Sequence, residues 1–173
     1  MTGTANSTTK NAGRHGKGTE EKGQVMPAVL SPHGMNFWTP QTRDTEKKCI
    51  SPYYYADTKL QGFRASHWMT GSCTQDYGSM TLMPLSGRLK CRPENRASTF
   101  SHSGETSTPA YYSVELEDYN IHAEMTGKSR AAIFRFTYRS GDPAYLVVHP
   151  NSDEGEGFIE IDTLKNEIRG YNP

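Results

Sequence analysis

Residue types that can do chemistry gather in one polar stretch, GFRASHWMTGSCTQDYGSM, which runs from residue 62 to residue 80. His67 and Cys73 are the residue types that form a thiol nucleophile and its base. His67 and Asp76 can hydrogen-bond sugar hydroxyls, and Trp68 offers a flat apolar face on which a sugar ring packs. Glycines such as Gly71 let the backbone come close to a ligand. The stretch therefore raises two hypotheses, a catalytic centre and a ligand-binding wall.

The nucleophile hypothesis has little support in the pattern. Nothing in the sequence identifies oxyanion donors or a third group that would orient His67 beside Cys73. A plainer alternative is that Trp68 fills the core and His67 caps a turn, and composition alone favours it. The sequence predicts no catalytic residue in this chain.

A metal site is also not predicted. The six histidines show no H-x-x-x-H or H-x-H spacing, and the three cysteines show no C-x-x-C, so each cysteine is expected to be a small buried residue or a free thiol. The carboxylates of NSDEGEG (151–157) could hold calcium but lack the D-x-D-x-D-G spacing, so a solvated turn is favoured. Glu115, Glu117 and Asp118 are expected to face solvent.

Composition restricts the class of protein. The 173 residues carry no net charge, which gives no reason to expect nucleic acid or an anionic membrane as a partner. No apolar run is long enough for a transmembrane helix, and no signal-peptide core is evident near the start. Hydrophobic content is 34%, low for a self-contained domain, yet there are ten tyrosines. This mixture favours a domain that relies on a partner surface, or a β-domain with a binding face.

The elements that must position the stretch are strands. Residues 1–24 are polar and nearly devoid of apolar side chains, which predicts an irregular segment, and residues 25–173 are predicted to form a β-sandwich domain. Short strands are expected at Met35–Thr39 and Ser51–Asp57, and SMTLMP is expected to be a strand that Pro84 ends. Alternating segments follow, at 110–117, 119–126 and 130–138, then AYLVVHP and a hairpin of GFIEIDT and NEIRGY around LKN. Such alternation predicts an all-β, antiparallel β-sandwich.

Three segments together carry a resemblance to a known family: VMPAVLSPHGMNFWTPQTRD, CISPYYYADTKLQGFRASHWMTGSCTQDYGSMTLMP and HPNSDEGEG. They resemble the N-terminal domain of glycoside hydrolase family 92. The resemblance implies a β-sandwich, incomplete relative to the full family domain, that packs on a helical catalytic domain absent from this sequence. It implies a calcium-dependent, inverting exo-α-mannosidase as the parent enzyme, with acid, base and most calcium ligands in the absent domain.

Site residues carry over from the resemblance only where the motif matches. The resemblance implies that six residues face the cleft and bind a mannose-containing glycan, namely His67, Trp68, Gly71, Cys73, Asp76 and Tyr77. Where many members carry a sugar-contacting Trp, this chain has Lys47 and Lys48, which implies a different glycan or subsite. By itself the chain is expected to be inactive, and its parent to be bacterial, periplasmic or secreted. A stand-alone carbohydrate-binding or interaction domain is the alternative.

Overall fold

The computed structural model describes residue 4 and residues 25–42, 51–67, 79–151 and 157–172. Within these ranges the strands are β1 Phe37–Gln41, β2 Lys59–Leu60, β3 Gly62–Ser66, β4 Met80–Ser86, β5 Ser98–Thr99, β6 Thr106–Thr108, β7 Tyr111–Leu116, β8 Ile121–Gly127, β9 Ala132–Tyr138, β10 Ala144–Pro150, β11 Phe158–Asp162 and β12 Glu167–Tyr171. One short helix, α1, spans Pro93–Arg96, and 3-10 turns lie at His102–Gly104 and Glu117–Tyr119.

Two four-stranded sheets make up the body of the fold. The first has the order β1-β3-β4-β10 and the second the order β6-β7-β8-β9, while β2 pairs with β5 and β11 pairs with β12. Every one of these pairings is antiparallel. The predicted all-β, antiparallel β-sandwich is confirmed.

The second sheet follows directly from period-two alternation in the sequence. Alternate side chains of β7 and β8 are buried, and their neighbours on the same strands are more exposed. The cross-strand register places Phe134 and Phe136 of β9 on the same face as these buried side chains, because Met125 pairs with Phe134 and Ala123 pairs with Phe136. The strands predicted at 110–117, 119–126 and 130–138 are confirmed to within two residues at each end.

The aromatic side chains of the two sheets meet in a single core. The ring of Trp38 on β1 lies edge-on to Phe134 at 4.7 Å between centroids, and Phe63 on β3 lies 6.0 Å from both Phe134 and Phe136. Phe63 is 1% exposed and also contacts the ring of the buried Tyr112. Phe63 therefore holds the first sheet against the second.

Two expectations about strands need correction, and one strand was not predicted. The strand that was not predicted is β3, which the first five residues of the stretch from residue 62 form, with all five buried. Pro84 does not end its strand, because β4 continues to Ser86 and pairs there with β10. The pairing of β3 with β4 covers only 80–82, so Pro84 lies beyond the end of β3 on that side, where its missing N–H breaks no ladder bond.

The tyrosine-rich segment 51–57 is also not a strand. Its backbone makes turn bonds, such as Asp57 N–H to Tyr54 O at 3.0 Å, and the Tyr55 N–H donates to the carbonyl of Thr4 at 2.9 Å. Tyr53 is fully buried and directs its hydroxyl to a carboxylate rather than along a sheet. Nothing further tests the predicted boundary between residues 24 and 25, so it stays a prediction.

One side of the sandwich is open. The inward rings of β9 are only half-buried, whereas their register partners on β8 are buried. The β11–β12 hairpin exposes Ile161, Leu164 and Ile168 at 68%, 94% and 50%. None of the helices in the described ranges has the length and apolarity needed to cross a membrane.

Candidate functional site

The predicted site residues lie in the connection between two neighbouring strands of the first sheet. His67 directly follows β3, and its side chain is exposed. The other five predicted residues, Trp68, Gly71, Cys73, Asp76 and Tyr77, lie outside the described residues. His67 follows the last residue of β3, and β4 begins at residue 80. Adjacent strands therefore fix both ends of the predicted wall.

A row of polar side chains crosses the first sheet next to this connection. Thr39, Arg64, Thr81 and His149 are register partners on β1, β3, β4 and β10. Because successive side chains of a strand point to opposite faces, and Phe63 faces the second sheet, Arg64 and its partners lie on the outer face. Thr39, Arg64 and Thr81 are at most 3% exposed, so this outer face is polar and also buried.

Hydrogen bonds tie this polar row to the residues that flank the predicted wall. Arg64 Nη2 donates to Ser79 Oγ at 3.1 Å, and Ser79 comes directly after the undescribed residues 68–78. The Thr81 hydroxyl donates to Gln41 Oε1 at 2.6 Å and accepts from Asn151 Nδ2 at 2.9 Å. A guanidinium, an amide and hydroxyl groups thus bond to one another there, and they fix the position of the residues that flank the predicted wall.

His149, at the β10 end of the polar row, contacts the buried guanidinium of Arg96. The guanidinium of Arg96, which is 1% exposed, donates from Nη2 to His149 Nδ1 at 3.2 Å. It also donates to the carbonyl oxygens of Gln61 and Cys91 at 3.0 and 2.7 Å. Burial, with the positive charge of Arg96 as the smaller cause, lowers the pKa of His149. His149 therefore acts as a neutral acceptor that links β10 to α1.

A buried carboxylate elsewhere in the fold lies beside a histidine and two tyrosines. These residue types occur in catalytic sites, but their geometry here does not suit catalysis. Glu105, whose side chain is fully buried, accepts hydrogen bonds from Tyr53 Oη at 3.0 Å and Tyr112 Oη at 2.6 Å, and lies 2.8 Å from His102 Nδ1. The other ring nitrogen, His102 Nε2, lies 2.7 Å from the carbonyl oxygen of Tyr55. Both nitrogens are occupied within the protein, so His102 cannot take a proton from a substrate. The cluster joins the 51–57 segment to β7.

The carboxylates of the second sheet form a surface ladder. Glu115 lies 2.8 Å from His122 Nδ1 and accepts two bonds of 2.9 Å from Arg139. The hydrogen bonds from Arg135 are the largest cause that lowers the pKa of Glu124 to about 2. Glu117 and Asp118 are exposed, as expected, and Glu115 is partly exposed. These carboxylates of the second sheet are paired with cations or exposed to solvent, which is not the arrangement of an acid and a base that flank a cleft.

The described residues do not supply a calcium site. No three His, Cys, Asp or Glu side chains of these residues come together in a metal-binding group. The carboxylates at 153, 154 and 156 and the lysines at 47 and 48 lie outside the described residues. Cys91 is a free and exposed thiol, and Cys49 and Cys73 also lie outside the described residues.

Sequence reasoning missed Arg64, Thr81 and Gln41 as site-flanking residues. A signal was present, because Arg64 and Ser66 alternate with Phe63 and Ala65 within GFRAS. Short alternation in a stretch with many turn residues is weak evidence of a strand, so the polar positions did not stand out as one face.

Comparison with known proteins gives one consistent answer. The model of the glycosyl hydrolase family 92 N-terminal domain matches residues 16–173. The inverting mannosidase BT2199 from Bacteroides thetaiotaomicron is 34% identical, with a TM-score of 0.76 over 85% of this chain and 19% of its own. The α-mannosidase BT3965 from the same organism is 34% identical, with a TM-score of 0.65 over 73% and 18%. The chain thus spans about a fifth of each. Curated proteins give no match.

Proposed function

The chain belongs to the glycosyl hydrolase family 92 N-terminal domain family, and from this premise we propose that it forms one wall of a mannose-binding pocket in an inverting α-mannosidase. The observation that carries the proposal is the buried polar row beside the β3–β4 connection, with Arg64 bonded to Ser79. His67, Trp68 and Asp76 would contact the terminal sugar, Gly71 would permit its close approach, and Cys73 and Tyr77 would line the wall.

The chemistry of hydrolysis would reside outside these 173 residues. In an inverting enzyme, one carboxylic acid protonates the leaving oxygen while a second carboxylate activates water on the opposite face of the sugar. The described carboxylates bond to cations or hydroxyl groups or are exposed to solvent, so we assign them neither the acid role nor the base role. Calcium is proposed for the parent enzyme, with most of its ligands outside these 173 residues. The proposal includes a bacterial, periplasmic or secreted location for that enzyme.

The exposed apolar hairpin supports packing against a further domain. Two-stranded hairpins are marginally stable alone in water, yet Ile161 and Ile168 are cross-strand partners whose side chains lie largely in solvent. A groove of about 310 Å³ lies between this hairpin and β4 and β10, lined mostly by apolar side chains. Exposed apolar surface of this kind marks an interaction site. We assign it to the helical catalytic domain of the parent enzyme.

The test of the wall is a titration of the 173-residue chain with methyl α-mannoside by NMR. We expect a Kd weaker than about 1 mM, because half of a pocket supplies half of its contacts. Trp68→Ala and Asp76→Asn should abolish the shifts, and His67→Ala should weaken them, while the control His122→Ala on the outer face of the second sheet should not. Shifts that survive all three substitutions would remove these residues from the site.

Activity measurements separate the wall from its alternatives. With an aryl α-mannoside and calcium we expect no turnover, and hydrolysis that a chelator abolishes would overturn the non-catalytic assignment. Mannoside binding much tighter than millimolar, without turnover, would favour a stand-alone carbohydrate-binding domain.

The docking surface has a test of its own. Ile161→Lys with Ile168→Lys should reduce binding of a hydrophobic dye while leaving the urea midpoint unchanged. A large loss of stability would instead show that these side chains pack within the domain.

A further inference from the structure

A basic loop at the far end of the first sheet forms a second concave surface. After β4, residues Arg88, Lys90, Cys91 and Arg92 are all exposed, and together with Leu89 and Asn95 they line a concavity of about 520 Å³. The strand β4 has seven residues, which at about 3.3 Å each separate this loop from the predicted sugar wall by roughly 20 Å. The loop is therefore a separate feature from the candidate site.

The loop concentrates positive charge in a chain that has no net charge. Residues 87–96 carry four Lys/Arg and one Asp/Glu, Glu94, which does not line the concavity. Among the described residues, none forms a salt bridge with Arg88, Lys90 or Arg92. By contrast, Arg135 and Arg139 on the second sheet are paired with carboxylates. Three cations facing one hollow without a protein counter-ion attract an anion from solution.

Hydrogen bonds hold the backbone in place at both ends of the loop. At its start, the Gly87 N–H donates to the carbonyl of Pro143 at 2.9 Å, and at its end the buried Arg96 holds the carbonyl of Cys91 at 2.7 Å. The Lys90 ammonium lies 5.5 Å from the centre of the Tyr119 ring, within the range of a cation–π contact. Because both ends are anchored, little ordering of the backbone would oppose binding.

We propose that this loop binds a multiply charged oxyanion, phosphate or sulfate, either free or carried on a saccharide. The guanidinium groups of Arg88 and Arg92 match such an anion because their planar forks donate two parallel hydrogen bonds. Lys90 adds a point charge on the same hollow. The site does not depend on the sugar wall, and it needs no part of a catalytic domain.

The experiment is a titration of the 173-residue chain, followed by amide shifts of residues 87–95. The probes are inorganic phosphate, sulfate, mannose 6-phosphate and, as the neutral arm, mannose. Phosphate and sulfate should shift these amides and mannose should not. Equal affinity for phosphate and mannose 6-phosphate would assign binding to the anion alone, and tighter binding of the phosphosugar would assign part of it to the sugar. Either result supports the oxyanion site.

Matched charge variants decide whether the loop is responsible. Arg88→Gln with Arg92→Gln should weaken phosphate binding at least about tenfold, because two charge-assisted contacts are lost. Arg135→Gln with Arg139→Gln removes the same charge from the second sheet and should leave binding unchanged. Glu94→Gln should tighten binding, and raising NaCl from 50 to 500 mM should weaken it.

Three results would overturn the proposal. The first is an absence of amide shifts in the loop at saturating phosphate. The second is equal weakening by the two double variants, which would show a response to net charge. The third is a short oligonucleotide that binds far more tightly than every phosphate, which would make the loop a polyanion interface. All the substituted side chains are exposed, so thermal melting should show folded variants throughout.

Discussion

Removing a single hydroxyl from the buried tyrosine cluster should destabilise the domain measurably. In Tyr112→Phe the ring, which is fully buried, stays the same size, so no cavity forms and only the 2.6 Å bond to Glu105 Oε1 is lost. Burial, with Glu105 as the next cause, raises the pKa of Tyr112 well above its ordinary value, so the hydroxyl is a donor throughout the assay range.

The expected loss of stability follows from the hydrogen bonds that Glu105 keeps in Tyr112→Phe. Its Oε2 retains Tyr53 and His102, but Tyr112 is the one donor that the described residues give to Oε1. A hydrogen bond to a charged group contributes about 1.5–3 kcal/mol, and a buried oxygen left without its donor belongs at the upper end of that range. We expect a loss of about 2–3 kcal/mol in the free energy of unfolding, which corresponds to a melting temperature about 4–12 °C lower.

The assay is urea unfolding followed by tryptophan fluorescence, with midpoint and slope fitted separately. Tyr111→Phe is the matched control: the neighbouring tyrosine donates to Glu124 at 2.7 Å, but on the outer face of the sheet. Its midpoint should barely move, because water replaces the lost partner. If Tyr111→Phe lost as much stability as Tyr112→Phe, or Tyr112→Phe lost none, burial of Glu105 would not be what gives this bond its strength.

Three further predictions concern acid, backbone geometry and the surface ladder. Burial lowers the pKa of His149 in the folded state. The neutral side chain therefore contributes stability above the ordinary pKa of about 6.5, and this stability is lost as the pH falls through the folded-state pKa. The urea midpoints at pH 7.5 and pH 5.0 should differ less in His149→Gln than in the wild type. Gly62 has φ of +153°, and an added Cβ would collide with Thr81 Cγ2 and lie 2.7 Å from the Leu82 carbonyl oxygen, so Gly62→Ala should cost at least about 1–3 kcal/mol in the same assay. Gly141→Ala, with nothing within 4 Å of the added Cβ, should change little. The Glu124 carboxyl should titrate near pH 2 by carbon-detected NMR, and Arg135→Gln should return it toward its ordinary pKa.

The parts of the fold that the sequence predicts well are those in which one face of a strand is buried. In β7 and β8 every second residue is apolar, because one face meets the core and the other meets water, and register is then determined. The hairpin of β11 and β12 was predicted from the same alternation, although nearly all of its residues are exposed. Its turn carries Asn166 at φ +54°, a conformation that Asn tolerates.

The first sheet was harder to predict because both of its faces are covered. Thr39 and Thr81 lie in segments that were predicted as strands, but Arg64 lies in β3, which was not predicted. Arg64 is a buried polar residue, and because polar residues are usually exposed, its position did not indicate a strand. Arg64 bonds to Ser79, which is 15 residues away in the sequence, and no local pattern reveals such a partner. The wall was therefore predicted from the family resemblance, while alternation alone predicted the second sheet.

The contact between Asn172 and Ser79 has a consequence for how the proposed parent enzyme would assemble. The Asn172 amide donates to the carbonyl oxygen of Ser79, so residues 93 positions apart meet next to the predicted wall. Polypeptide that continues past residue 172 therefore departs from a point beside the wall. A domain tethered there would meet the wall at a millimolar effective concentration, and the pocket would close by an intramolecular step that dilution does not slow.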